Sequence, residues 1–266
     1  MAHFYKNGRR LTAENFPDIW PRTKAGTLSK RVGPAAMIEM GGVRGVTDIL
    51  DAVGGEKLHG LMHWSGALAI QAAVETLEGI TARVDSGMSS FAEAATARWK
   101  ELQTVARDRG TEFHDGIERW ERGETPEDPI IRAACENIQG WLDAEGLADG
   151  RREYCFTATV GVMSFGGTTD HVHDGKQVIL DYKTVEKSRA PRFSECSQIA
   201  AYHTGIFGLD ACMKGANLYI RQEDGGIDSV RWWTDVELLT GWELFQVAYN
   251  TTSLLDRWAA SQKAKA

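Results

Sequence analysis

Cysteine is scarce in this chain of 266 residues: Cys135, Cys155, Cys196 and Cys212 stand far apart, with no C-x-x-C pair among them. That spacing argues against a disulfide framework or a structural zinc site and predicts a reduced, intracellular setting. Long apolar runs are missing too, at the N-terminus and elsewhere, so no membrane span is expected and the protein should be soluble. Positive charge is in deficit. The formal net charge is −7 and the pI about 5.6, a balance that does not suit a tight, static holder of polyanions. No internal repeat or low-complexity segment is found.

The hydrophobic content of 42% is enough for one large core. We divide the chain into an irregular arm, residues 1–44, and a single domain, residues 45–266, helical over 45–146 and built on a sheet with flanking helices over 147–266. Up to Arg31 the arm has seven cations against two acids. Its Phe4, Tyr5, Phe16 and Trp20 could stack on bases or simply fold back onto the core. Thr47 can cap a short helix, and Leu58, Leu61, Trp64 and Leu68 mark an amphipathic helix over 57–79 that also carries His59 and His63. A longer helix starts at Ser89 or Ser90 and continues past Gly110 to Trp120. Phe113, Ile117 and Trp120 form its buried stripe, with His114 and Glu118 one turn apart on a neighbouring face. Residues 126–145 read as another helix. From Tyr154 the period drops to two, the mark of a strand. Helices are expected over 194–208 and 237–260, with a hairpin of 217–221 and 227–233 between them.

One stretch places charge where packing alone would not. Asp174-Gly175 between two extendable runs is a two-residue hairpin signal. With that turn Asp170 falls opposite Ile179, on the sheet face that also carries Asp181 and Lys183. The two acids become diagonal neighbours, roughly 7–8 Å apart at the backbone, able to lean onto one hard cation beside an ammonium. Val178, Leu180 and Tyr182 point the other way. The plainer reading is a hairpin facing solvent, its acids and lysine pairing in water. Buried unpaired charge costs on the order of several kcal/mol, so a core face needs a reason to carry these residues.

Gly167-x-x-Asp170, then Asp181-x-Lys183-Thr184 after a hydrophobic run, then Gln198-x-x-x-Tyr202 on a helix, resemble in order the motifs of the PD-(D/E)XK nuclease superfamily, in its RecB-like branch. Gly110-Thr111-Glu112-Phe113-His114 resembles that branch's upstream histidine motif, and Glu153 stands where the branch often has an acid. More loosely, the Gly45-to-Leu50 entry with Trp64 downstream is similar to phage and mitochondrial genome-maintenance exonucleases that act on single strands. The resemblance implies an α/β fold, a mixed sheet flanked by helices in a restriction-endonuclease-like core, with a helical region before it. It implies a metal-dependent deoxyribonuclease, an exonuclease on single-stranded DNA ends in replication, recombination or repair. Such an enzyme would work in the cytoplasm, that of a host if phage-encoded, alongside replication or recombination proteins.

Carried over residue by residue, the resemblance makes Asp170, Asp181 and Lys183 catalytic. It makes His114, Asp170, Asp181 and the Tyr182 backbone carbonyl ligands to one or two Mg2+ or Mn2+ ions, with Glu153 a further candidate. It assigns DNA contacts to Gln198, Tyr202, Thr184, Lys187, Arg189 and Arg192. Some relatives hold an iron–sulfur cluster on closely grouped cysteines; the scattered cysteines here predict none. An acidic exterior with a local basic track suits an enzyme that must release its DNA. Three alternatives stand beside this reading: an endonuclease of the same superfamily, a catalytically degenerate DNA-binding module on the same fold, and a zinc protein using His59, His63, His171 or His173.

Overall fold

A computed structural model describes residues 3–23, 27–29, 32, 34–51, 88–209 and 211–263. The helix expected over 57–79, with His59, His63 and Trp64, lies outside the described residues. The first 44 residues, expected to be irregular, begin with a hairpin: β1 (Phe4–Lys6) pairs antiparallel with β2 (Arg9–Arg10) across Asn7-Gly8. Both turn residues have positive φ, 51° and 70°, as a tight two-residue turn requires. After α1 (Pro34–Glu39), β3 (Val43–Arg44) adds to the other edge of β1. Strands of three and two residues are too short to show a period, which is why alternation does not reveal them. Phe4, Leu11 and Trp20 form a small buried cluster, with Phe16 packed against it. The arm's aromatics are therefore packing residues.

The chain divides into two compact units, residues 54–132 and the remainder. In the helical unit, α3 (Met88–Glu121) runs unbroken through Gly110. Its Phe113 and Ile117 are buried, as their helical spacing predicts. Arg109 stacks over the Phe113 ring at 4.8 Å and pairs with Asp128 at 2.8 Å. Asp128 accepts from the backbone N–H groups of Ile130 (2.7 Å) and Ile131 (3.3 Å), capping α4 (Pro129–Glu145).

The larger unit is built on a mixed sheet ordered β4 (Arg151–Val160), β5 (Met163–His173), β6 (Val178–Val185), β7 (Lys214–Arg221), β8 (Ile227–Trp232). All pairs are antiparallel except β6 and β7. A parallel pair needs a crossover, supplied here by α5 (Phe193–Phe207). With α6 (Asp235–Lys263) and α2 (Val46–Asp51), α5 covers one sheet face, closing a core of Phe156, Phe165, Ile179, Ile199, Trp242 and Phe245. Trp232 turns to the other face and meets Trp141 of α4, ring centroids 6.3 Å apart. The α/β class with a mixed sheet flanked by helices is the expected one. No helix among the described residues is long and apolar enough to cross a membrane.

Candidate active site

The β5–β6 hairpin closes through four residues, Asp174 to Gln177, with His173 paired to Val178, Val172 to Ile179 and His171 to Leu180. The two-residue turn expected at Asp174-Gly175 is corrected by this register. Arg151 grips the Asp174 carboxylate with two hydrogen bonds, of 2.7 and 2.5 Å, and the Lys176 N–H donates to His173 Nδ1 at 3.0 Å. The left-handed position falls on Gln177, at φ 52°. Because the displacement is two residues, every side chain keeps its face. The pairing moves Asp170 from a diagonal to a direct position, one step beyond His171 and Leu180 and level with Asp181.

Across the other edge of β5, Arg152 pairs with His171 and Tyr154 with Thr169, which sets Glu153 level with Asp170. Across β6, Asp181 pairs with Asn217. One row through four strands therefore reads Glu153, Asp170, Asp181, Asn217. Glu153 sits at φ 45° inside its strand, a conformation that costs about 1–2 kcal/mol in a residue with a Cβ. Such outliers gather where function requires them. Glu153→Gly should accordingly raise the unfolding free energy by up to about 1 kcal/mol, glycine's extra chain entropy offsetting part of the relieved strain. Urea denaturation checks this, and a clear loss of stability would show that the Glu153 side chain supports the fold.

Asp181 is nearly closed off, with 4% of its surface exposed. Its carboxylate accepts from Lys183 Nζ (2.6 Å), Asn217 Nδ2 (2.8 Å) and Gln198 Nε2 (3.0 Å). Gln198 also donates to the Tyr202 hydroxyl at 2.9 Å, and its Oε1 accepts from Lys183 at 3.3 Å. Trp233 Nε1 donates to Asn217 Oδ1 at 2.8 Å. An indole N–H can only donate, so it fixes the Asn217 amide with its nitrogen toward Asp181. Asp170 is served differently, its Oδ2 accepting from the Tyr182 backbone N–H. Burial, then the charges of Asp181 and Glu153, push the Asp170 carboxyl well above the usual carboxylate range, with Lys183 opposing. Burial works against the charge on Lys183, but Asp181 and Asp170 hold its pKa above the ordinary value. The Tyr202 hydroxyl is pushed well up by burial and by Asp181.

The two glycines before Asp170 serve packing. A Cβ at Gly167 would lie 2.6 Å from the Tyr202 ring, and one at Gly166 2.7 Å from Tyr5 Cβ. Only bare backbone lets Tyr202 settle against β5 and reach Gln198.

The other sequence-derived candidates are spread more widely. Thr184 Oγ1 accepts from Gln222 at 3.2 Å. Lys187 is exposed, and Arg192 stands at the start of α5, its N–H donating to Glu195 at 2.9 Å. Arg189 is tied to Glu195 and lies over the Tyr219 ring at 5.1 Å. Gln198 and Tyr202, expected to face DNA, are buried and turned onto Asp181. His114 is an exposed residue of α3, in the helical unit. His171 and His173 face away from Asp170; burial takes the His171 pKa down to about 4, and His173 meets Asp149 at 2.9 Å. Asn217 and Trp233 are the members that sequence reasoning missed. An asparagine among Leu218, Tyr219 and Ile220 is out of character for a buried strand, and that was the available signal.

No family model matches the chain, and no curated protein matches it in sequence. Among solved structures, a provisionally named exonuclease from Eubacterium rectale is similar over 58% of this chain and 68% of its own, at 12% identity and a TM-score of 0.36. The protein SSO0001 is similar over 44% of this chain, at 16% identity and a TM-score of 0.27; the likeness spans 59% of SSO0001. Likenesses this loose carry no argument, and the site has to be judged on its own chemistry.

Among the described residues no group of three or more His, Cys, Asp and Glu side chains is set to hold a metal ion. The row itself offers carboxylate oxygen, the donor chemistry of Mg2+ or Mn2+. Two carboxylates against one ammonium leave a negative charge in a largely buried place, and the raised Asp170 pKa registers its cost. A hard dication fits that imbalance. Magnesium keeps several waters, so two carboxylates suffice as protein ligands.

Proposed function

We propose that this chain is a nuclease of the PD-(D/E)XK kind, dependent on Mg2+ or Mn2+, that hydrolyses DNA phosphodiester bonds from single-stranded ends. The observation that carries the reading is the level pair Asp170 and Asp181 with Lys183 bonded to Asp181, a set that adds charge and desolvation cost to a sheet whose packing does not need it. Asp170, Asp181 and the Tyr182 carbonyl would hold the ion, with Glu153 in the same row as a further ligand. His114 enters from the resemblance alone. The chemistry supplied by a bound ion is charge neutralisation at the phosphate and a more acidic water.

The chain's own residues do the positioning. Lys183 places an ammonium where it can orient a water and offset charge developing on the phosphate. Gln198 holds both Asp181 and Lys183, so it fixes their spacing, and Tyr202 fixes Gln198 in turn. Lys187 and Arg192 are the basic residues nearest in sequence that could meet the DNA backbone. Asn217 keeps Asp181 aimed through its Nδ2 hydrogen bond. Asn217→Ala is expected to lower activity about 10–100-fold, the range typical when a residue supporting a ligand is lost, with the fold kept. Steady-state kinetics at several Mg2+ concentrations check this; unchanged kinetics would remove Asn217 from the site.

Single-strand ends are tested with a matched pair, linear and covalently closed circular single-stranded DNA of one sequence with Mg2+. Degradation of the linear form alone is expected. Equal rates on the circle would make the protein an endonuclease.

A further inference from the structure

Helix α6 is apolar on two opposite sides. Leu238, Trp242, Phe245 and Ala248 are buried in the core. Val236, Leu239, Val247, Leu254 and Trp258 are exposed, with 73% of Val236 and 65% of Trp258 open. At 3.6 residues per turn these five fall on a stripe centred opposite the buried side. Single exposed apolar residues are ordinary, but a row of them along one helix marks a contact surface. We propose that this stripe is where a second copy of the same chain packs, antiparallel.

Three features select that occupant. Val247 stands midway, eleven residues from both Val236 and Trp258. A copy crossing there lays Val236 against the partner's Trp258 and Val247 against the partner's Val247, so the pattern complements itself under a two-fold axis. Charge follows the same rule. Antiparallel packing brings Glu243 and the partner's Arg257, both exposed on this side, to roughly 9 Å along the axis, within reach of their long side chains, whereas parallel packing would set Glu243 against the partner's Glu243. The stripe is also long enough: from Val236 to Trp258 it extends roughly 33 Å, and a helix pair of that length approaches the ~1,000 Å2 a specific interface must clear. Trp258, large and open, is suited to anchor it.

Sedimentation of the full chain over a concentration series tests the proposal. A dimer that dissociates on dilution is expected. Val247→Asp and Trp258→Asp, at exposed positions where the fold does not depend on them, should each weaken dimerisation by about 100-fold or more with unchanged circular dichroism. Glu243→Arg should weaken it about tenfold, and adding Arg257→Glu should restore it. Val247→Cys, on the two-fold axis, should form a disulfide between copies under oxidation. A chain that is monomeric at every concentration, or a dimer indifferent to these substitutions, would overturn the proposal. So would ready disulfide formation between copies by Leu254→Cys, whose counterpart lies roughly 21 Å away along the axis in the antiparallel pair.

Discussion

Asp181→Asn or Lys183→Met is expected to lower Mg2+-supported DNA hydrolysis by about 10³-fold or more and to leave the protein folded. The size follows from what is removed: charge stabilisation at a metal-assisted centre contributes on the order of several kcal/mol to the transition state, and each ~1.4 kcal/mol is tenfold in rate. Both replacements keep side-chain size, so no cavity opens. The asparagine oxygen, with two lone pairs, would still accept from Lys183 and Asn217, which both donate to Oδ2 of Asp181, and the Gln198 donor left facing the new amide nitrogen costs about 1–3 kcal/mol. Lys183→Met leaves the acid pair without its ammonium, but Asp170, already pushed toward its protonated form by burial and by Asp181, can take up a proton instead of unfolding the sheet. Rates measured beside thermal melts separate the two effects. More than a tenth of the wild-type rate in either variant would put the chemistry elsewhere.

Asp170→Asn should abolish the same activity yet stabilise the protein. A carboxyl whose pKa is raised by folding stabilises the fold while it holds its proton, fully below its unfolded value, and loses that contribution as pH rises through the raised value. Asparagine has no charge to bury, so the variant's advantage should appear at neutral and alkaline pH and vanish in acid. Each kcal/mol regained raises the melting temperature by about 2–4 °C in a chain of this size. Added Mg2+ should narrow the gap, raising the wild-type melting temperature but not the variant's. Scanning calorimetry at acid and neutral pH decides it: a variant that melts below wild type at neutral pH contradicts the description of Asp170 as a strained, cation-seeking acid.

The sheet and its charged face were legible in the sequence because both rest on the two-residue period, which survives local errors. The turn spans Asp174 to Gln177, two residues longer than the Asp174-Gly175 pair predicts, yet the displacement is even, and Asp170, Asp181 and Lys183 stay on one face. What did not come through was set by tertiary pairing. Gln198 and Tyr202 were legible as one helix face, but only the packing of Tyr202 against Gly167 turns that face inward onto Asp181. Asn217 lies level with Asp181 through the parallel β6–β7 ladder, a register that no local pattern encodes. The hairpin at Asn7-Gly8 had its turn signal, but strands so short offered no alternation to confirm it. Glu153 lies just before the two-residue period that starts at Tyr154, and its left-handed backbone appears only once β4 is paired.

The central claim is that Asp170, Asp181 and Lys183 form a cation-dependent phosphodiesterase centre. Its most direct test is hydrolysis of an end-labelled single-stranded oligonucleotide by the purified protein, with Mg2+ or with EDTA, alongside Lys183→Met purified identically. Cleavage by the wild type with Mg2+, none with EDTA and none by the variant is the predicted result; cleavage that persists in EDTA, or that the variant shares, would contradict it.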